Sequence, residues 1–199
     1  MLGSTTDRRY TTVAITIHWV IALSIIALLI AGLVMSEDDL LDKAMRFKVI
    51  QLHKSLGLTV LVLSLARLLW RLTHKPPALP ATMAGWEKFA ATATHWAFYG
   101  LMFALPLTGW ALVSTSSWGL PTFWFGLFEW PHLPILSTLA DKKPANDLFG
   151  ETHEILAYIM IALIFLHFGA AMKHYLWNRD DVLSRMLPFL KPLKSKAPS

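Results

Sequence analysis

The chain has 199 residues, 55% of them hydrophobic and only 16% charged, with a mean hydropathy of +0.48; a soluble domain usually carries about 25% charge. Nine Trp, eleven Phe and long Leu, Ile and Ala runs exclude a disordered chain. The absence of Cys excludes a disulfide framework, thiolate zinc and a Cys nucleophile, so any metal has to be held by His, Met or carboxylate.

The first apolar run, residues 13–35, is 23 residues without a charge. That is about 34 Å of helix against a hydrocarbon core of roughly 30 Å. A cleaved signal peptide normally has an apolar region of about 7–15 residues ending in small residues. Leu33-Val34-Met35-Ser36-Glu37 is a poor cleavage site, so this run is expected to be a retained span. The second run, 49–72, is interrupted by Lys54, Arg67 and Arg71, and Pro76-Pro77-Ala78-Leu79-Pro80 then stops the helix. The third, 93–113, contains Pro106, read as a packing kink. Between it and the fourth run, 152–177, lies a long connection with Trp118, Trp124 and Trp130, expected to rest in the membrane interface. A short basic tail, 178–199, follows. There is no internal repeat. The expected fold is a single all-α integral membrane domain over residues 1–199, a four-transmembrane-helix bundle with a Trp-rich interfacial segment, 114–147, between the third and fourth helices.

With four spans, both termini share a side with the 73–92 loop. Twelve of the 18 Lys and Arg fall there, including Arg8, Arg9, Lys75, Lys191, Lys194 and Lys196. The other six are Lys43, Arg46, Lys48, Lys54, Lys142 and Lys143. The positive-inside rule predicts cytoplasmic termini. The net charge of +5 is therefore topological and does not point to nucleic acid.

Chemistry is concentrated in the histidines. His74 and His132 fall in loops or at a helix end and read as solvated. In the helices, His18 lies near the cytoplasmic side, and His53 and His153 near the opposite side. His167 follows His153 by 14 residues, about 21 Å deeper and about 40° round the helix, on the same face. The pattern predicts two pairs at two depths, His53 with His153 and His18 with His167. One such residue commonly bonds a carbonyl or a neighbouring helix; four at matched depths point to function, because ionisable groups inside spans are costly. Facing imidazoles suit the axial positions of a haem iron, and Gly57 and Gly169 offer close approach to the backbone. Zinc is the alternative, with Glu151 and Glu154 as extra donors outside and His95 inside. Arg67, 14 residues after His53, shares that face at the inner depth, where a haem propionate would pair it; Arg71 reads as snorkelling to lipid phosphate. There is no nucleophile elbow, no phosphate loop and no paired carboxylates within a span, so hydrolysis has no support.

These residues resemble the bacterial cytochrome b561 family of four-helix dihaem membrane cytochromes. The resemblance rests on Ile17-His18-Trp19, His53-Lys54-Ser55-Leu56-Gly57, Arg67-Leu68-Leu69-Trp70-Arg71-Leu72 and Ala104-Leu105-Pro106-Leu107-Thr108-Gly109. In the last helix it runs through His153-Glu154, His167 and His174-Tyr175-Leu176-Trp177, so that it covers roughly residues 10–190. It implies two haem b groups with His18, His53, His153 and His167 as axial ligands; for His174 it suggests a pocket for ubiquinone, the other reading being a marker of the membrane interface beside Tyr175 and Trp177. It implies single-electron transfer across the bilayer between membrane quinone and a second partner, either superoxide, as in members similar to superoxide oxidases, or a redox protein. Lys43, Arg46, Lys48 and Lys54 would steer an anion, offset by Asp38, Asp39 and Asp42. Two other readings remain at this point. One is a membrane-anchor cytochrome of a larger dehydrogenase or hydrogenase complex, and the other a non-haem metal carrier or scaffold.

Overall fold

The computed structural model describes residues 9–37, 39–187 and 189–190. Arg8, Asp38, Lys191, Lys194 and Lys196 therefore lie outside the described residues. Four long helices account for most of the chain: α1 (Thr12–Ser36), α2 (Lys43–Thr73), α3 (Gly85–Ser114) and α5 (Lys143–Lys173), with the short α4 (Pro134–Ser137) before the last. All four long helices have the length and apolar composition to cross a membrane. A helix satisfies its own backbone hydrogen bonds, which a hydrocarbon solvent cannot do.

Each helix starts earlier than its apolar run. Thr11 Oγ1 accepts from Ala14 N at 3.2 Å and starts α1. Asp42 Oδ1 accepts from Met45 N at 2.8 Å and starts α2 six residues before the apolar window of 49–72 opens. Glu87 Oε2 accepts from Ala84 N at 3.1 Å at the head of α3. In α5, Pro144 occupies the first turn, where a missing N–H costs nothing. Polar caps thus set the starts of α1, α2 and α3, while the apolar windows mark only the lipid-facing middles.

The bundle has two ends. Arg9 and Leu190 lie at one, here the terminal end; at the other, the hairpin end, residues 115–142 fold over the helices. In that segment β1 (Thr122–Trp124) pairs antiparallel with β2 (Phe128–Trp130), placing Thr122 opposite Trp130 and Trp124 opposite Phe128. The turn between them carries positive φ at Phe125 (49°) and Gly126 (75°). The expected helical bundle is thus present, with a small hairpin added and α5 beginning inside the segment read as a connection.

In sequence order α1 packs on α2, α2 on α3 and α3 on α5. The backbone of α5 stands away from α1 and α2, leaving a gap down the middle of the bundle. Ile21, Ile25, Val60, Tyr99, Leu101, Met102 and Met160 fill the centre of that gap and form the core. Met160, fully buried, is seven residues from His153 and seven from His167. The core is therefore an apolar partition with one histidine pair on each side.

Candidate functional site

At the hairpin end, His53 from α2 faces His153 from α5, with ring centroids 6.3 Å apart and planes at 70°. His153 Nδ1 lies 3.0 Å from the Leu105 carbonyl oxygen and 3.1 Å from Thr108 Oγ1. A carbonyl can only accept, so Nδ1 carries the proton and Nε2 of the neutral ring keeps its lone pair. Pro106 lies between these two partners and has no N–H of its own to place there. Gly109 stands close against this ring: a Cβ there would come 3.1 Å from His153 Cε1, so the imidazole would have to give by a few tenths of an ångström. A Cβ at Gly32 would touch His53 Cε1 at 3.8 Å. His53 Nδ1 is buried beside the Leu28 carbonyl without a hydrogen bond of good geometry.

Both imidazoles open into a cavity of about 190 Å³ walled by residues such as Ile25, Leu29, Met102, Leu105 and Ile161. Gly57 also borders it, and a Cβ there would meet nothing within 4 Å. The hairpin covers this end. Ser55 Oγ bonds the Phe123 carbonyl at 2.9 Å and accepts from Phe125 N at 3.1 Å, while Trp124 Nε1 donates to Thr59 Oγ1 at 3.1 Å. Lys54 Nζ donates to the Pro121 carbonyl at 3.0 Å, so this lysine anchors the hairpin rather than standing free to steer an anion. Lys43 and Lys48 are exposed, and Arg46 donates to the Glu37 carbonyl at 2.8 Å.

At the terminal end, His18 from α1 faces His167 from α5 at 6.5 Å and 63°. His95 sits against the same ring, 5.8 Å from His167; it lies ten residues into α3, not at its start. Phe98 packs edge-on at 5.3 Å. Arg67 is half-buried, donates to the Ala14 carbonyl at 3.1 Å, lies against the Tyr99 hydroxyl and is close to both His18 and His167. Arg71 does not simply reach into lipid: its guanidinium stands 5.5 Å from the Trp96 ring and 5.6 Å from Tyr99.

Beyond His167 the helix widens into a π-turn, His174–Asn178. His174 is buried, with Nδ1 2.6 Å from Asp180 Oδ2 and 3.1 Å from Asn178 Nδ2. The sequence reading missed Asp180 and Asn178. A short polar run after His174 was the available signal, but only the π-turn and the left-handed Arg179 (φ 53°) fold it back. It also missed Gly32 and Gly109 while choosing Gly57 and Gly169. Gly169 is exposed and borders neither pair. His74 caps α2 and stacks on Trp70 at 3.9 Å and 5°, outside both pairs.

A family model described as prokaryotic cytochrome b561 matches residues 9–189. "Cytochrome b561 homolog 2" of Escherichia coli (strain K12) is 33% identical over 187 residues, 94% of this chain and 95% of its own. "Cytochrome b561 homolog 1" of the same organism is 29% identical, covering 90% and 97%. The "Probable superoxide oxidase CybB" of Yersinia pestis is 30% identical over 184 residues, covering 91% and 97%. With paired imidazoles on spanning helices and relatives matched nearly end to end, the chain belongs to the prokaryotic cytochrome b561 family, a membrane b-type cytochrome of electron transfer.

Proposed function

We propose that the protein holds two haem b groups, one between His53 and His153 and one between His18 and His167, and passes single electrons across the bilayer. The observation that carries this reading is the spacing of the rings. An imidazole nitrogen lies about 2.0 Å from a metal that it ligates and about 1.1 Å from its own ring centroid, so a metal ion held between two facing imidazoles would need ring centroids about 6.2 Å apart. The two pairs stand at 6.3 and 6.5 Å. The gap left by α5, the cavity beside Gly57 and the free Nε2 of His153 support the same fit. Among the described residues no three His, Asp or Glu side chains converge as a metal-holding group, which suits a two-imidazole donor set better than a zinc centre.

A haem held between each pair of imidazoles would supply one-electron exchange. The chain's own residues do the rest. Leu105 and Thr108 hold His153 in the tautomer that presents Nε2. Arg67, with donors left over from the Ala14 carbonyl, pairs a propionate at the terminal-end site. The Met160 partition keeps water from joining the two sites.

The terminal end faces the cytoplasm, and there His174, steadied by Asp180, contacts ubiquinone, which takes two electrons and two protons to become the quinol. At the hairpin end the electron donor is superoxide, which loses one electron to become O₂; the relative named a probable superoxide oxidase supports this donor. A pyridine haemochrome count on detergent-purified protein tests the core of the proposal. Two b haems per chain are expected; one would remove a pair, and none in folded protein would sink the reading. Prompt reduction by a superoxide source, abolished by dismutase, tests the donor.

A further inference from the structure

After the π-turn the chain does not leave the bundle. Arg179, in the left-handed region, reverses it, and residues 179–187 run back across the terminal end. This return segment is held to three different parts of the fold. Asp180 Oδ2 meets His174 Nδ1 at the end of the last helix. The Met186 carbonyl accepts from Trp19 Nε1 of α1 at 2.9 Å. Arg185 Nη1 donates at 2.6 Å to the Ala78 carbonyl, in the connection between α2 and α3.

Arg185 is a cation only 9% exposed, and a buried charge is costly unless its partners are in place. Its Nε and Nη2 both donate to Asp181 Oδ1, at 3.0 and 2.8 Å, while Nη1 reaches Ala78. One guanidinium thus ties its own segment to the α2–α3 connection. A lysine ammonium is a point charge without that fixed fork and could not serve both directions equally. Asp181 is the chain neighbour of Asp180, so the tie acts on the residue that steadies His174. Both oxygens of Asp180 are engaged: Oδ1 accepts from Val182 N at 3.1 Å, and Oδ2 meets the imidazole. A carboxylate only accepts, so Nδ1 of His174 carries the proton and Nε2 is the atom left for a ligand.

We propose that Arg185 is a positioning residue of the quinone site. By fastening residues 179–187 to the α2–α3 connection it holds Asp180 against His174, and so fixes which nitrogen His174 presents to ubiquinone. The role rests on the reading of His174 as the quinone contact, and it involves none of the four paired histidines.

Two measurements on the detergent-purified holoprotein test it. Hydrogen exchange over residues 179–187 reads the fastening. Stopped-flow oxidation of the dithionite-reduced haems by a short-chain ubiquinone reads a half-saturating concentration and a limiting rate. Arg185→Gln should quicken the exchange with an unchanged haem spectrum. It should raise the half-saturating ubiquinone about tenfold, the worth of one lost hydrogen bond. The limiting rate should stay within about twofold, since binding and not the reaction is weakened. Arg185→Lys should recover part of the loss. Asp181→Asn should act in the same direction and less, and it takes the place of Arg185→Gln if that variant loses haem. In a His174→Ala background Arg185→Gln should add nothing, because the two act as one unit. Additive effects, unchanged exchange, or quickened exchange with unchanged half-saturation would overturn the role of Arg185. Unchanged half-saturation in His174→Ala alone would sink the quinone reading of His174 itself, and this role with it.

Discussion

The two histidine pairs have nearly the same ring separation and quite different surroundings. At the hairpin end the second nitrogen of His153 is held by a backbone carbonyl and a hydroxyl, Gly109 makes room for its ring, and the hairpin lies over the top. At the terminal end the pair has a third imidazole, an arginine and a basic pocket beside it. One site is set by close packing and the other by charge. Contacts that decide geometry belong to the first, and contacts that decide electrostatics to the second.

The largest effects should come from removing a ligand. His153→Ala should leave one haem per chain with the terminal-end spectrum, and His167→Ala should leave one with the hairpin-end spectrum. Loss of both haems in either variant would show that the sites are not independent. Next in size is overpacking. Gly109→Val pushes carbon into an imidazole only 3.1 Å from where a Cβ would stand, and should empty or distort the hairpin-end site alone. Gly32→Ala, at 3.8 Å, is ordinary contact and should be close to silent. Electron paramagnetic resonance, which reads the axial field at each iron, separates the two.

The contrast extends to what the sequence made visible. The four helices were legible because hydrocarbon allows few alternatives, and the pairs because 14 residues return a helix to the same face. Gly109 was quoted only as part of a motif, because its reason for being glycine is a ring 44 positions away in sequence. The hairpin was hidden for a different reason. Phe125 and Gly126 make its turn with positive φ at both positions, and a bulky Phe there is not the usual Asn-Gly signal. Its strands, Thr122–Trp124 and Phe128–Trp130, are so short and aromatic that they read as interfacial side chains. The π-turn that brings Asp180 to His174 leaves no periodic trace at all.

Charge should matter mainly at the terminal end. Arg67→Gln removes a cation close to His18 and His167 and so disfavours the added electron there. The terminal-end midpoint potential should fall by about 50–100 mV, with a much smaller change at the hairpin end. Redox titration with the two sites resolved reads this directly. Equal shifts at both would mean that the apolar partition around Met160 does not separate their electrostatics.

The smallest effects concern how the hairpin is fastened over the packed site. Ser55 is buried at 2% exposure and serves both the Phe123 carbonyl and the Phe125 N–H. Ser55→Ala leaves two backbone groups without that partner and should cost about 1–3 kcal/mol of hairpin docking. Lys54→Met should cost less, because Gln51 Nε2 still donates to the Pro121 carbonyl at 3.2 Å. Hydrogen exchange over residues 122–130 should quicken in the order wild type, Lys54→Met, Ser55→Ala, with the terminal end unchanged. If the hairpin shields the His53–His153 site, water will reach that site more readily in the same order, and its midpoint potential will drift while the other stays fixed. Faster exchange with both potentials unchanged would leave the hairpin as a fastening of α2 alone, and the closed character of that site would then rest on Gly109, Leu105 and Thr108.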